Sequence, residues 1–260
     1  MATRGIDTHA HLFLGEFSAD IQAVTHRAKS VCEAVLLPNL DIHTLPALES
    51  LTESEPGFYY GMIGLHPSYV KADFREQLRA LEKHLHRRAW IGIGEVGIDL
   101  YHDRSTFSWQ AEALSTQAEW AARLRLPLSI HFRHALSETL EVLAPYAVRG
   151  VFHCFTGSYE EGKRILDAGF YIGIGGVVTY KNATLLRDAV VRLPLEAIVL
   201  ETDSPYLAPV PVRSKRNESS YLTYIARAIG ELRGISVEQV LEITTEAARR
   251  LFQLPIFSAA

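Results

Sequence analysis

His9 and His11 stand one residue apart in Asp7-Thr8-His9-Ala10-His11. On an extended segment, side chains two apart share a face, so this spacing puts two imidazoles side by side. Neutral imidazoles bind borderline cations such as Zn²⁺, Mn²⁺ or Fe²⁺, and carboxylates bridge ions and add negative charge. Further groups of these types follow at Glu95, His131, His153 and Asp203. Singly, none is diagnostic, because a strand-end Glu ordinarily caps a helix or makes a salt bridge. As a set they fit a two-metal hydrolytic site. Glu95 would bridge ions about 3.5–4 Å apart. Asp203 would bind one ion and take a proton from the attacking water.

Residues so far apart in sequence need a fold that gathers them. Short apolar runs recur at about 5–9, 34–38, 58–65, 90–94, 128–131, 151–153, 171–175 and 198–201. They read as buried parallel strands. Between them, segments such as 18–30, 74–88, 106–124 and 183–193 carry apolar residues at helical spacing, as at Leu78, Leu81 and Leu85. Strand alternating with helix about eight times implies right-handed parallel crossovers. The expected fold is α/β, a single (β/α)8 TIM-type barrel over residues 1–260, with the metal site at the C-terminal end of the strands. An open doubly wound sheet is the structural rival. The barrel is favoured because it places Asp7 to His11, Glu95, His131, His153 and Asp203 on one rim, each at a strand end. Residues 217–252 read as two last helices, Gly234 ending the first and Ser236 capping the second, with Glu238 nearby.

The 260 residues are 48% hydrophobic and 22% charged, with net charge −4. A surface that coats nucleic acid broadly is normally basic, so a polyanionic substrate must be gripped locally. Two cysteines, Cys32 and Cys154, argue against a disulfide scaffold. With no signal-like N-terminus and no long apolar span, the expected location is cytoplasmic, with no membrane contact.

The motifs together resemble the TatD family of metal-dependent deoxyribonucleases, within the amidohydrolase-like barrels. The matching stretches are Asp7-Thr8-His9-Ala10-His11, Gly64-Leu65-His66-Pro67, Gly94-Glu95-Val96-Gly97-Ile98-Asp99, 127–135, His153-Cys154-Phe155-Thr156-Gly157-Ser158, and Glu201-Thr202-Asp203-Ser204-Pro205-Tyr206-Leu207. Lys215-Arg216-Asn217-Glu218 and the C-terminal helices extend the match to nearly the whole chain. The resemblance implies that His9, His11, Glu95 and Asp203 hold one divalent ion, and that Glu95, His131 and His153 hold a second. Zn, Mn, Fe or Mg would suit this donor set. It also implies phosphodiester hydrolysis on DNA, often from an end. Glu95 stands where many barrels of the superfamily carry a carboxylated lysine, which favours the TatD type over lactonase or urease types.

On the substrate side, His66 is expected to contact the scissile phosphate or protonate the leaving oxygen. Arg133, two after His131, should clamp a phosphate from the same face. Lys181, Arg213, Lys215 and Arg216 form a basic cluster at the expected mouth. Tyr101, Tyr180 and Tyr206 are candidates for stacking a base. The expected partner is DNA with single-stranded or frayed ends, and no obligate protein partner. His134 replaces the family's usual Asp, and Ser214 and Ser219 replace its usual Gly and Pro. Strand alternation is expected to turn Cys154 away from the site. Gly173-Ile174-Gly175-Gly176 lacks the Lys-Ser/Thr of a phosphate loop. Two other readings stay open: a hydrolase of small esters, amides or phosphoesters on the same barrel, and a non-catalytic interaction protein. All the ligand-type residues are retained, which counts against the second.

Overall fold

The computed structural model of the protein describes residues 3–101 and 103–254. Eight strands, β1 (Gly5–Asp7), β2 (Cys32–Pro38), β3 (Tyr59–Ile63), β4 (Gly92–Asp99), β5 (Leu128–Arg133), β6 (Gly150–Phe152), β7 (Tyr171–Ile174) and β8 (Ile198–Leu200), form one sheet in chain order. Each pairs in parallel with the next. The helices α1 (Ile21–Val31), α2 (Leu45–Ser54), α3 (Phe74–Glu82), α4 (Phe107–Leu124), α5 (Leu136–Leu143), α6 (Tyr159–Asp167) and α7 (Thr184–Arg192) each follow one strand, and α8 (Leu222–Arg233) and α9 (Val237–Phe252) follow β8. Such crossovers are what parallel pairing of successive strands requires.

The sheet closes just beyond its first and last strands. The Thr8 amide donates to the Leu200 carbonyl at 3.0 Å, and the Asp203 amide to the His9 carbonyl at 2.8 Å. Ala10 and Ser204 make a parallel bridge. The molecule is therefore the TIM-type barrel and not the open doubly wound sheet.

Alternation along β2 shows how the strands are shared between two cores. Ala34 and Leu36 pack inside the barrel with Ile6, Met62, Val151 and Val199, while Val35 and Leu37 face the helical ring. Ala247, Ala248, Leu251 and Phe252 of α9 join the interior cluster, so this helix plugs the end opposite the metal-type residues. Gly234 ends α8 in the left-handed region at φ 68°, as expected of a glycine C-cap. Ser236 caps α9 through a capping box whose reciprocal partner is Gln239; Glu238 lies in the same first turn.

Two boundaries depart from the sequence reading. The helical pattern from Phe74 to Arg88 breaks at Glu82, after which single turns lead to Trp90, whose indole N–H donates to the His84 carbonyl at 3.0 Å. More consequential is β4, which does not end at Glu95 but runs on to Asp99, pairing Val96, Gly97, Ile98 and Asp99 with Ile130, His131, Phe132 and Arg133. A register shift falls between Ile93 and Val96. Both of those side chains pack toward the helices, although strict alternation would set residues three apart on opposite faces. The extra residue frees Glu95 to point inward. Asn39 brackets it, its amide donating to the Gly94 carbonyl and its carbonyl accepting from the Glu95 amide. No helix among the described residues is long and apolar enough to cross a membrane.

Candidate metal centre

At the C-terminal end of the barrel a cavity of about 600 Å³ opens to solvent. Its floor carries His11, His66, Glu95, His131, His153 and Asp203, with His9 fully buried beneath. Glu95 lies at the centre. Its Oε2 is 3.2 Å from His9 Nε2 and 3.4 Å from His11 Nε2. Its Oε1 is 3.1 Å from His66 Nε2, 3.0 Å from His131 Nδ1 and 2.7 Å from His153 Nε2. Asp203 Oδ1 approaches His11 Nε2 at 3.6 Å and His9 Nε2 at 3.9 Å. One carboxylate thus divides its two oxygens between two sets of imidazoles.

The outer hydrogen bonds of the rings fix which nitrogen faces the centre. His11 Nδ1–H donates to the Pro38 carbonyl at 3.2 Å, so its Nε2 presents the lone pair. His131 turns the other way. Its Nε2 meets Asp99 Oδ2 at 3.0 Å, which leaves Nδ1 toward Glu95. His9 Nδ1 is held by Ser129 Oγ at 3.0 Å. His66 differs in kind. Its Nδ1 accepts the Ser68 backbone N–H at 3.0 Å, so in the neutral ring Nε2 carries the proton toward Glu95.

Burial and close approach leave the groups of this centre electrostatically coupled. Burial opposes charge on every group, but Asp203 and Glu95 overcome it at His11 and raise its pKa to about 10. Asp99 and Glu95 likewise raise His131 to about 9 against burial. Burial, helped by His153, lowers His9 to about 3. Despite burial, His66, His153 and His9 hold Glu95 well below the usual carboxylate range. His153 Nε2, though 2.7 Å from Glu95 Oε1, is out of line for a hydrogen bond, and neither of its ring nitrogens has a hydrogen-bond partner among the described residues. His9 Nε2 and His11 Nε2 face one another at 3.2 Å. Three overlapping groups of ligand atoms each lie within 4.8 Å: His9, Glu95 and His153; His9, His11 and Asp203; His66, Glu95 and His131. Protons on imidazoles supply positive charge where this donor set fits divalent cations.

Backbone conformation around the cavity is unusual in a consistent way. Cys154, Asp203 and His134 all have φ between 51° and 57°, the left-handed region that non-glycine residues seldom adopt. Cys154 is held there by its amide, which donates to Glu201 Oε1 at 2.5 Å. Glu201 is fully buried, its Oε2 has no hydrogen-bond partner among the described residues, and burial raises its pKa to about 8.

This gathering of motifs is matched by known proteins. The family described as TatD related DNase matches residues 6–253. The chain belongs to the TatD-related DNase family. It is 36% identical over 253 residues to the uncharacterized metal-dependent hydrolase YabD of Bacillus subtilis, covering 95% of this chain and 98% of that one. It is 32% identical over 258 residues to the 3′-5′ ssDNA/RNA exonuclease TatD of Erwinia billingiae, covering 96% and 99%. The solved structure of the Escherichia coli TatD homologue YjjV superposes with a TM-score of 0.91 at 29% identity, covering 98% of this chain and 100% of that one.

As a TatD-family barrel the protein brings together all six ligand-type residues singled out in its sequence, and His66 with them. The basic residues fare differently. Arg133 lines the cavity wall and lies 3.6 Å above the Tyr101 ring. Lys181 and Lys215 are exposed and, like Arg213, do not line the cavity; Arg213 lies over Tyr180 at 4.2 Å. Arg216 is turned away. Both its terminal nitrogens bind Asp20 at 2.8 Å, and its guanidinium covers Phe17. Cys154 corrects another expectation. β6 ends at Phe152, so alternation no longer governs Cys154, which lines the cavity. Desolvation pushes its thiol well above the ordinary thiol range.

Asp99 and Glu201 escaped the sequence reading. The signal for Asp99 was period-two spacing, Glu95-x-Gly97-x-Asp99, hidden by ending the strand too early. For Glu201 it was the position two before Asp203.

Proposed function

We propose that this chain is a metal-dependent nuclease that trims single-stranded or frayed DNA ends. The division of Glu95's two oxygens between two imidazole sets, at the floor of a cavity of about 600 Å³, carries the reading. That volume lies within the usual range for a small-molecule site, roughly 300–1,000 Å³. It suits a nucleotide-sized group. Ligand-type residues so deeply buried are reached by an unpaired strand end and not by an intact duplex. The name of the Erwinia billingiae relative supports this substrate class.

His9, His11, Glu95 and Asp203 would hold one cation, and Glu95, His131 and His153 a second. Cations held there supply Lewis acidity, which stabilises charge on the attacking and leaving oxygens of an in-line displacement. The chain's own groups do the rest. Asp203, kept ionised by His11 and its neighbours against the effect of burial, takes the proton of the attacking water on a carboxylate oxygen. His66 gives the proton on Nε2 to the leaving oxygen, its orientation fixed by the Ser68 N–H. Arg133, preorganised on Tyr101, grips a phosphate from the wall.

The test is cleavage of end-labelled single-stranded DNA by metal-loaded protein, beside small esters and dipeptides. Stepwise shortening of the DNA is expected. Glu95→Ala should remove activity, and His66→Ala should slow it about 10²-fold while metal content holds. Turnover of the small substrates alone overturns the nuclease assignment.

A further inference from the structure

Two tyrosines stand at the cavity entrance, on loops that follow different strands of the barrel. Tyr69 lies in the short 3-10 turn after β3, and Tyr206 in the turn after β8. Both line the cavity, yet they are 37% and 49% exposed. Their ring faces are therefore accessible to a ligand in the cavity. No hydrogen bond to either hydroxyl occurs among the described residues.

Their attachment is the same. The Tyr69 amide donates to the His66 carbonyl at 2.9 Å, and the Tyr206 amide to the Asp203 carbonyl at 2.9 Å. Each ring therefore sits three residues after a group of the metal-site floor, locked to it by a single tight turn. Pro67 and Pro205 stiffen the two turns. Asn217 Nδ2 ties the second down further, donating to the Tyr206 and Thr202 carbonyls at 2.7 Å each. The Tyr69 ring meets His66 edge-on at 6.1 Å, and the Tyr206 ring is 6.5 Å from His11. Burial raises both phenols above their ordinary range, and Tyr69 is close enough to Tyr206 to add to the effect there.

We infer that Tyr69 and Tyr206 are base-stacking platforms that hold the nucleobases next to the scissile phosphate. The inference rests on the nuclease reading and deepens it by saying how substrate is recognised. Every base has a π-face, so stacking grips any sequence. The rings are fixed in register with His66 and Asp203, so a stacked base delivers its phosphate to the floor. Tyr101 and Tyr180 are less suited, because Arg133 and Arg213 each cover one of their faces.

The experiment compares oligonucleotides that end in a normal base with ones that end in an abasic unit. Metal-loaded protein is used with Tyr69→Leu, Tyr206→Leu, the double variant and Tyr206→Phe. A second readout needs no turnover: quenching of an end-placed 2-aminopurine on an oligonucleotide made uncleavable by phosphorothioate links. Wild type should show a KM about tenfold or more lower for the base-ended strand, the size expected for one stacked base. The double Leu variant should lose that preference and the quenching. Tyr206→Phe should keep both. Wild-type cleavage that ignores the end base, or a double Leu variant that still prefers it, overturns the stacking role while leaving the nuclease reading intact. Wild-type protein that cuts no oligonucleotide removes the nuclease reading itself, and the stacking role with it.

Discussion

Asp99 acts on the metal-type cluster through one ring. Against the opposing effect of burial, His131 and the Tyr101 backbone N–H hold its carboxyl at about 2, so it is ionised throughout the neutral range. Its Oδ2 accepts the Nε2–H of His131, and that leaves Nδ1 facing the centre, free for a metal ion. Outer carboxylates of this kind orient a ligating imidazole and make it more basic, and losing one typically weakens metal binding about 10–100-fold. Asp99→Ala should therefore lower affinity by that factor in competition with a chelating dye, with the circular dichroism unchanged. Unaltered affinity would show that His131 is oriented by Glu95 alone or binds no ion. At this scale the sequence was legible where chemistry depends on residue type, as at His9, His11, Glu95, His131, His153 and Asp203. It was illegible where function depends on which neighbour a long side chain chooses. Arg216 belongs to a basic run in sequence, yet Asp20 on another loop claims both its terminal nitrogens. No spacing rule could reveal that.

The alternation of strands and helices is a periodic signal, and it was read correctly as a barrel. Ends and bulges leave no period, which is why β4 came out too short. Its continuation also depends on one glycine. Gly97 has φ 144°, and a Cβ there would sit 1.9 Å from the His131 carbonyl oxygen. Any side chain must either strain β4 or push it off β5, between the strands that carry Glu95 and His131. Gly97→Ala combines an unfavourable backbone with overpacking, each worth roughly 1–3 kcal/mol. A destabilisation of about 3 kcal/mol or more is expected from urea unfolding midpoints, together with lost metal binding in whatever protein still folds. A change within about 0.5 kcal/mol would mean that the two strands separate locally at little cost and that the close approach does not hold them in place.

Taken whole, the molecule carries net charge −4, and yet the proposed substrate is a polyanion. Several of the basic side chains are already neutralised within the chain. Arg27, Arg75, Arg104 and Arg123 are all paired with carboxylates, and Arg216 with Asp20. Arg133 lines the cavity without an ion pair among the described residues. On the proposed reading, an acidic body that meets its substrate at this cavity would grip the end of a strand and repel the remainder. Counterion release then involves few phosphates. For a single strand, the slope of log K against log salt is about −0.7 per phosphate neutralised, so one or two contacts give a slope of about −0.7 to −1.4. Fluorescence anisotropy with an uncleavable oligonucleotide at several salt concentrations, at constant metal, measures it. The slope should not steepen as the oligonucleotide is lengthened, because the cavity itself is lined by a single arginine, Arg133. A slope of about −4, or one that grows with length, would require an extended cationic path along the surface. The end-gripping geometry would then be wrong even if the chemistry at Glu95 were right.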